Sequence, residues 1–260
     1  MQARVGNLRL FKYVPPERVD ILEHEKIAFT PPDRFKDPFE FKIGINRIAL
    51  RGQLKELSEQ LAAVIPNYEK LSSRQRLKKR KEIFRQSKVS EKFRESFVKS
   101  VQTRSWQFGI LCLCEVNDSN LMWYHYADGH KGFVIEFDVN HEAFRTLGGV
   151  WKVEYVSGPP VFDHTKPTPE IFRFKPDYLK YEAERRILRP LSEFIPEKNS
   201  DGLSLYFRKL PRECVKAVFI GHRMEKKGRE KISELLKGTK AQTFEAVPSD
   251  RDYTFTFRQK

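Results

Sequence analysis

The sequence predicts a single α+β domain, a mixed or antiparallel sheet interrupted by a basic helical insertion. Three observations carry this. Short apolar or alternating runs bounded by Gly, Pro and Asn-Asp turn signals recur along the chain and read as strands. Between residues 52 and 100 the periodicity turns helical, with Leu54, Leu57, Leu61 and Val64 at helical spacing. No repeat or low-complexity linker divides the chain, so residues 1–260 read as one domain with 52–100 as its insertion.

Residues 8–14 read as a first strand. Pro15-Pro16 opens a short helix over 17–25, with Val19 and Leu22 on one face. Residues 27–30 form a second strand, ended by Pro31-Pro32, and a turn passes through Asp37-Pro38. Helices occupy 53–99. Pro66 suits the first turn of the second helix, which carries Arg74-Gln-Arg-Leu-Lys-Lys-Arg-Lys81 and then Ile83, Phe84, Phe93 and Phe97.

The near-continuous apolar run 108–114 reads as a buried central strand. Asn117-Asp-Ser-Asn caps a helix over 121–127 that ends at Gly129. Strands follow at 132–138 and 150–156, with a short helix at 142–146 between them. Residues 157–175 are rich in Pro and read as a loop, and 178–183 as a helical turn. Strands are expected at 185–189, 203–208 and 215–220, a surface helix at 225–236, and a hairpin from 243–247 and 253–257.

Composition narrows the class. A hydrophobic content of 39%, with 21 Phe, is enough for a substantial core. No apolar run approaches the roughly 20 residues of a spanning helix. The first residues lack a signal-peptide apolar stretch, so the expectation is a cytoplasmic protein. Three cysteines give no disulfide framework, and the Cys112-Leu-Cys114 pair lacks the second pair a zinc site needs, so no metal is expected. A net charge of +14 attracts polyanions without naming one.

Four groups of residues are candidates for function. Phe35-Lys-Asp-Pro-Phe-Glu40 is a turn signal in which Asp37 accepts backbone N–H bonds. Met122-Trp-Tyr-His-Tyr-Ala127 gathers aromatics with polar tips on one helix, with Met122, His125 and Tyr126 on a shared face. That cluster reads either as core or as a wall for a flat ligand. In Tyr181-Glu-Ala-Glu-Arg-Arg186 the carboxylates Glu182 and Glu184 lie two apart. On an extended chain they face one side, either as an acid–base pair or as an exposed, salt-bridged strand start. The run Arg74, Arg76, Lys78, Lys79, Arg80, Lys81 is nearly free of acids. It reads as a solvated face or as a nucleic-acid phosphate contact without base stacking.

The order of Leu10-Phe-Lys-Tyr13, Phe35-Lys-Asp-Pro-Phe-Glu40, Leu111-Cys-Leu-Cys114, Met122-Trp-Tyr-His-Tyr-Ala127, His130-Lys-Gly-Phe-Val-Ile-Glu-Phe-Asp138, Tyr181-Glu-Ala-Glu-Arg-Arg186 and Val218-Phe-Ile-Gly221 resembles the bacterial domain-of-unknown-function family 2971 over nearly the whole chain. More distantly, the layout resembles the ADP-ribosyltransferase superfamily. Lys12-Tyr13 stand on the first strand, Thr30 on the second and Glu182-x-Glu184 late. Lys12 occupies the place where that superfamily carries Arg or His. This resemblance implies an ADP-ribosyltransferase-like fold with NAD as substrate. Lys12 and His125 would lie near its phosphates or ribose, Tyr13 and Thr30 at the pocket, and Trp123 or Tyr126 against nicotinamide. Glu184, beside Glu182, would stabilise an oxocarbenium-like transition state. The basic helix would bring a nucleic acid or an acidic protein to the pocket, with phage defence as the setting. The alternatives are a non-catalytic nucleic-acid-binding protein using the basic helix, and an enzyme acting on a small anionic metabolite.

Overall fold

The computed structural model describes residues 8–41, 66–89, 106–160 and 169–260, with 84–89 as backbone alone. Strands β1 (Leu10–Val14), β2 (Lys26–Ala28), β3 (Phe108–Cys114), β4 (Phe133–Phe137), β5 (Val150–Lys152), β6 (Glu154–Val156), β7 (Phe174–Pro176), β8 (Glu184–Pro190), β9 (Glu197–Lys198), β10 (Ser204–Leu205), β11 (Phe207–Lys209), β12 (Val215–Ile220), β13 (Gln242–Pro248) and β14 (Phe255–Gln259) are interspersed with helices α1 (Asp20–Glu23), α2 (Ser73–Val89), α3 (Asn120–Tyr126), α4 (Glu142–Arg145) and α5 (Lys226–Leu235). The class is α+β. Among the described residues no helix is long and apolar enough to cross a membrane.

Eight strands form one sheet in the order β14-β13-β12-β4-β1-β3-β8-β5. Every neighbouring pair is antiparallel except β12 and β13, which α5 connects as a parallel crossover. Both faces are covered, which explains why β3, β4 and β12 read as continuous apolar runs. On one face Leu10, Val14, Leu111, Phe133, Ile135, Ile187 and Val218 pack with Leu22 of α1, Phe144 of α4 and Ile232 of α5. On the other, Phe11, Tyr13, Cys114, Val134 and Phe219 pack with Met122 and Trp123 of α3. That second face continues through Ile110, Phe41, Ile171 and Phe172, and it positions the candidate site.

Several expected elements take a different form. The strand expected at 150–156 divides at Val153, whose N–H donates to the Glu184 carbonyl at 3.1 Å. Before that point β5 joins the large sheet beside β8, and after it β6 pairs in parallel with β7. The segment 203–208 divides likewise, β10 pairing with β9 and β11 with β2. Thr30 lies outside β2 and makes its own bridge, exchanging backbone bonds with Ile110 at 2.8 and 2.9 Å. The helix expected at 17–25 is a 3-10 turn, Pro16–Val19, followed by the single turn of α1.

Pro66 does not begin the basic helix. A 3-10 turn at Tyr68–Lys70 intervenes, and α2 starts at a capping box. Ser72 Oγ accepts from Gln75 N at 3.3 Å, while Gln75 Oε1 accepts from Ser72 N at 2.9 Å. Leu54, Leu57, Leu61, Val64, Phe93 and Phe97, with most of the expected insertion at 52–100, lie outside the described residues, as does the Phe84 side chain.

Candidate functional site

Three of the sequence patches, far apart in the chain, meet around Lys175. The first arrives on the loop after Pro38. Asp37 Oδ1 accepts from Phe39 N at 2.8 Å, closing an Asx turn, and Phe41 takes φ +58°. This turn delivers Glu40 with its side chain 5% exposed. The second is α3, opened by Ser119 as N-cap accepting from Met122 N, which presents Tyr126. The third is the 3-10 turn Asp177–Glu182 running into β8. Between them Ala183 is left-handed at φ 44°, a conformation that costs an alanine about 1–2 kcal/mol. Glu182 and Glu184 therefore do not share the face of an extended strand. The kink between them turns both carboxylates onto Lys175.

Lys175 Nζ donates to Glu184 Oε2 at 2.8 Å and to Glu182 Oε2, and lies 3.6 Å from Glu40 Oε1. Arg186 grips Glu184 twice, Nε to Oε1 at 2.7 Å and Nη2 to Oε2 at 3.1 Å. It also donates to Glu40 and, at 2.8 Å, to the Phe172 carbonyl. Its guanidinium lies 5.1 Å from the Phe41 ring centroid. Tyr126 donates its hydroxyl to Glu182 Oε1 at 2.7 Å, and Tyr155 accepts from Glu184 N at 2.8 Å. All five charged groups are buried, Arg186 completely. The reading of 181–186 as an exposed, salt-bridged strand start is thereby corrected.

Three carboxylates face two cations, so the fully ionised network carries one net negative charge. Burial pushes Glu184 up, but Arg186 and then Lys175 outweigh it and hold the carboxyl below its ordinary range. Burial pushes Glu182 and Glu40 up as well, and there the cations do not compensate fully. Burial alone would lower Lys175, yet Glu184, Glu40 and Glu182 together hold its ammonium above the ordinary value. Burial, and then the Glu182 charge, raise the Tyr126 phenol.

Beside the network opens a cleft of about 320 Å³ with Lys175 in its wall. Phe39, Phe41, Phe174, Tyr178, Pro159 and Pro160 make half of the rest. Tyr178 donates to Asp37 Oδ2 at 3.1 Å, tying the two sides of the site together. Flat, mainly apolar walls with a few convergent polar groups suit a small aromatic ligand. No group of His, Cys, Asp or Glu among the described residues is arranged to hold a metal ion.

The other expected site residues lie elsewhere. Lys12 alternates with Phe11 and Tyr13 along β1, so it leaves the sheet on the opposite face from Glu184, and Nζ donates to the Cys112 carbonyl at 3.2 Å. Burial lowers its pKa. Tyr13 is core, its hydroxyl donating to the Val116 carbonyl at 3.1 Å. Thr30 is taken up in its bridge to β3. Trp123 is fully buried, its indole N–H donating to the Asn117 carbonyl and its ring stacked on His130 and edge-on to Tyr13. No face of it is open to a ligand. The buried side of α3 is Met122, Trp123 and Ala127, with Tyr124, His125 and Tyr126 exposed, which replaces the expected grouping of Met122 with His125 and Tyr126. His125 lies on the surface 6.4 Å, ring to ring, from Tyr181. Arg74, Lys78, Lys79 and Lys81 on α2 are exposed, whereas Arg76 and Arg80 are half-buried.

The reading of residue types missed Lys175, the hub of the network. It sits between Phe174 and Pro176 in a Pro-rich stretch with no periodicity to mark it. Glu40 was visible only as the end of a turn motif. No protein-family model, curated protein or solved structure matches this chain.

Proposed function

We propose that the protein is an NAD-consuming enzyme of the ADP-ribosyltransferase type, with the nicotinamide end of NAD in the Lys175 cleft. The observation that supports this most is the convergence of Glu40, Glu182 and Glu184 on one lysine of that cleft's wall, with Tyr126 bonded to Glu182 behind it. Oxidised nicotinamide is a flat cation. The aromatic walls favour it through ring faces, and the network behind Lys175, one negative charge in excess when fully ionised, favours it through charge. When the bond from ribose C1′ to the pyridinium nitrogen breaks, the electron pair leaves with neutral nicotinamide and positive charge builds on the ribose. Fixed carboxylates stabilise that charge as it develops.

The two glutamates then divide the work differently from the pattern the resemblance implies. Glu184 is held by Arg186 and Lys175 and orders the site. Glu182 has the raised pKa and touches Tyr126, whose residue is 42% exposed. It is the group suited to take the proton from an incoming nucleophile as the new C1′ bond forms.

The test is NAD labelled in its nicotinamide ring, incubated with the purified protein alone and with DNA, RNA or protein acceptors. Expected are nicotinamide release above the buffer rate, and a fall of about 10²-fold or more for Glu182→Gln. Absence of both release and label transfer from the wild type across all acceptors overturns the reading.

A further inference from the structure

We infer that the outward stripe of α2 binds the phosphate backbone of duplex nucleic acid without reading its sequence. Ser73–Val89 holds eight Lys or Arg and one Glu, so this helix carries half of the chain's net charge of +14. Its residues divide by face. Arg76, Arg80 and Ile83, at i, i+4 and i+7, are half-buried. Arg76 is committed inward, donating to the Leu71 carbonyl at 2.8 Å and the Glu69 carbonyl at 2.6 Å, with its guanidinium 5.8 Å from the Tyr68 ring centroid. Arg74, Lys78 and Lys81, at the same spacing, are exposed and form no ion pair with another described residue. Lys79 meets the helix's one acid, Glu82, at 3.4 Å.

This arrangement works against the helix that carries it. No acid stands in the first turn, where the helix dipole favours one, and Arg74 and Arg76 stand there instead. Arg74–Lys78 and Arg76–Arg80 are like-charge pairs at i,i+4, each unfavourable. Phosphates along the outer face relieve the conflicts that involve Arg74, at the dipole and with Lys78. The three outward cations span about 10 Å of helix axis, against which a duplex sets one charge every ~1.7 Å. Exposed aromatics do not alternate with them, so the stripe offers charge contact rather than base stacking. Among the described residues Arg74, Lys78 and Lys81 meet no acid, and such a local departure from good helix electrostatics is where a binding role is expected.

The inference stands apart from the NAD reading, because binding is measured without NAD. Fluorescence anisotropy of a labelled mixed-sequence DNA duplex is followed against salt. A polyglutamate peptide at matched ionic strength serves as the acidic-protein comparison. The wild type is expected to bind the duplex in preference to the peptide, with affinity falling steeply as salt rises. The combined change Arg74→Ala, Lys78→Ala, Lys81→Ala lowers the slope of log affinity on log salt by about 2 to 3. Changing Lys226 and Lys237, exposed cations on and beside α5, leaves the slope unaltered. Arg74→Glu alone is expected to weaken binding while raising the melting temperature, since it puts an acid in the first turn. Failure of the wild type to bind duplex, an unchanged slope in the triple variant, or equal binding of polyglutamate each overturns the inference.

Discussion

Arg186 and Glu184 stand two residues apart on β8 and clasp each other through two hydrogen bonds, 2.7 and 3.1 Å, with the arginine wholly buried. Their partners come from the loop at Glu40, from β7 at Lys175 and from the Phe172 carbonyl. Such a clasp is worth most when one half is taken away. Arg186→Met leaves Glu184 and Glu40 buried beside a single lysine. A loss of about 3–5 kcal/mol in urea unfolding is expected, the usual cost of breaking a buried pair from one side. Arg186→Lys retains the charge but loses the fork and is expected to recover only part of it.

Acid should weaken the fold through two histidines. His130 and His222 lie with ring centroids 5.1 Å apart, each with a buried Nδ1 that has no hydrogen-bond partner among the described residues. His130 packs on Trp123 and Phe255, and Arg223 and Arg229 stand near the pair. Burial first lowers both pKa values below 6.5, followed for His130 by His222 and then Arg223, and for His222 by Arg223 and then Arg229. A base whose folded pKa is depressed binds protons more readily unfolded. Stability is therefore full above about pH 6.5 and falls as the pH drops through the folded values. Melting temperatures taken from pH 8 to pH 5 should show the decline, and His222→Phe should flatten it.

Gly221 and Gly132 are fixed by close approach, Gly129 by backbone sign. A Cβ on Gly221 would overlap the His130 carbonyl oxygen and lie 2.7 Å from that of Gly132, and one on Gly132 would overlap the Val14 carbonyl oxygen. Gly129, at φ +57°, has open space around it. Gly221→Ala and Gly132→Ala are each expected to cost 3 kcal/mol, roughly the top of the overpacking range, or more. Gly129→Ala should cost about 1–2 kcal/mol, the left-handed penalty alone. Chemical denaturation of the three variants distinguishes the two causes.

The thiols should be silent until the protein unfolds. Burial pushes Cys114 up to about 12 and Cys214 up to about 11, and Cys112 is also raised well above its ordinary value. Cys214 Sγ lies 3.1 Å from His141 Nδ1, but it is wholly buried, and that nitrogen also accepts from Ala143 N. A thiol reagent at pH 8 is expected to label fewer than one cysteine per chain in the native state, and three in guanidinium.

Elements with one strong local signal were legible in the sequence. The apolar run of β3, the Asn-Asp-Ser-Asn cap before α3 and the block of β12 all lie where residue pattern places them. Elements whose partners change midway were not. Residues 151–155 alternate apolar and polar, and nothing local says that Val153 hands the chain from one sheet to another. The site was legible in pieces. Glu40, Tyr126, Glu182 and Arg186 all fall in stretches that their residue types mark out, but their meeting depends on Lys175, on the left-handed Ala183 and on sheet order. Trp123 looked like a ligand platform because an aromatic with a polar tip reads alike from sequence whether its N–H meets a ligand or the Asn117 carbonyl.

The place of β1 in the sheet also has a consequence in time. Four strands lie on one side of it and three on the other, so it joins two half-sheets. Its partners β3 and β4 begin about a hundred residues further along the chain. At ordinary synthesis speeds of roughly 5–20 residues per second, residues 10–14 wait on the order of ten seconds for a strand to pair with. Throughout that interval a short segment, apolar but for Lys12, has neither partner strand, a natural target for a holding chaperone and a hazard on a crowded message.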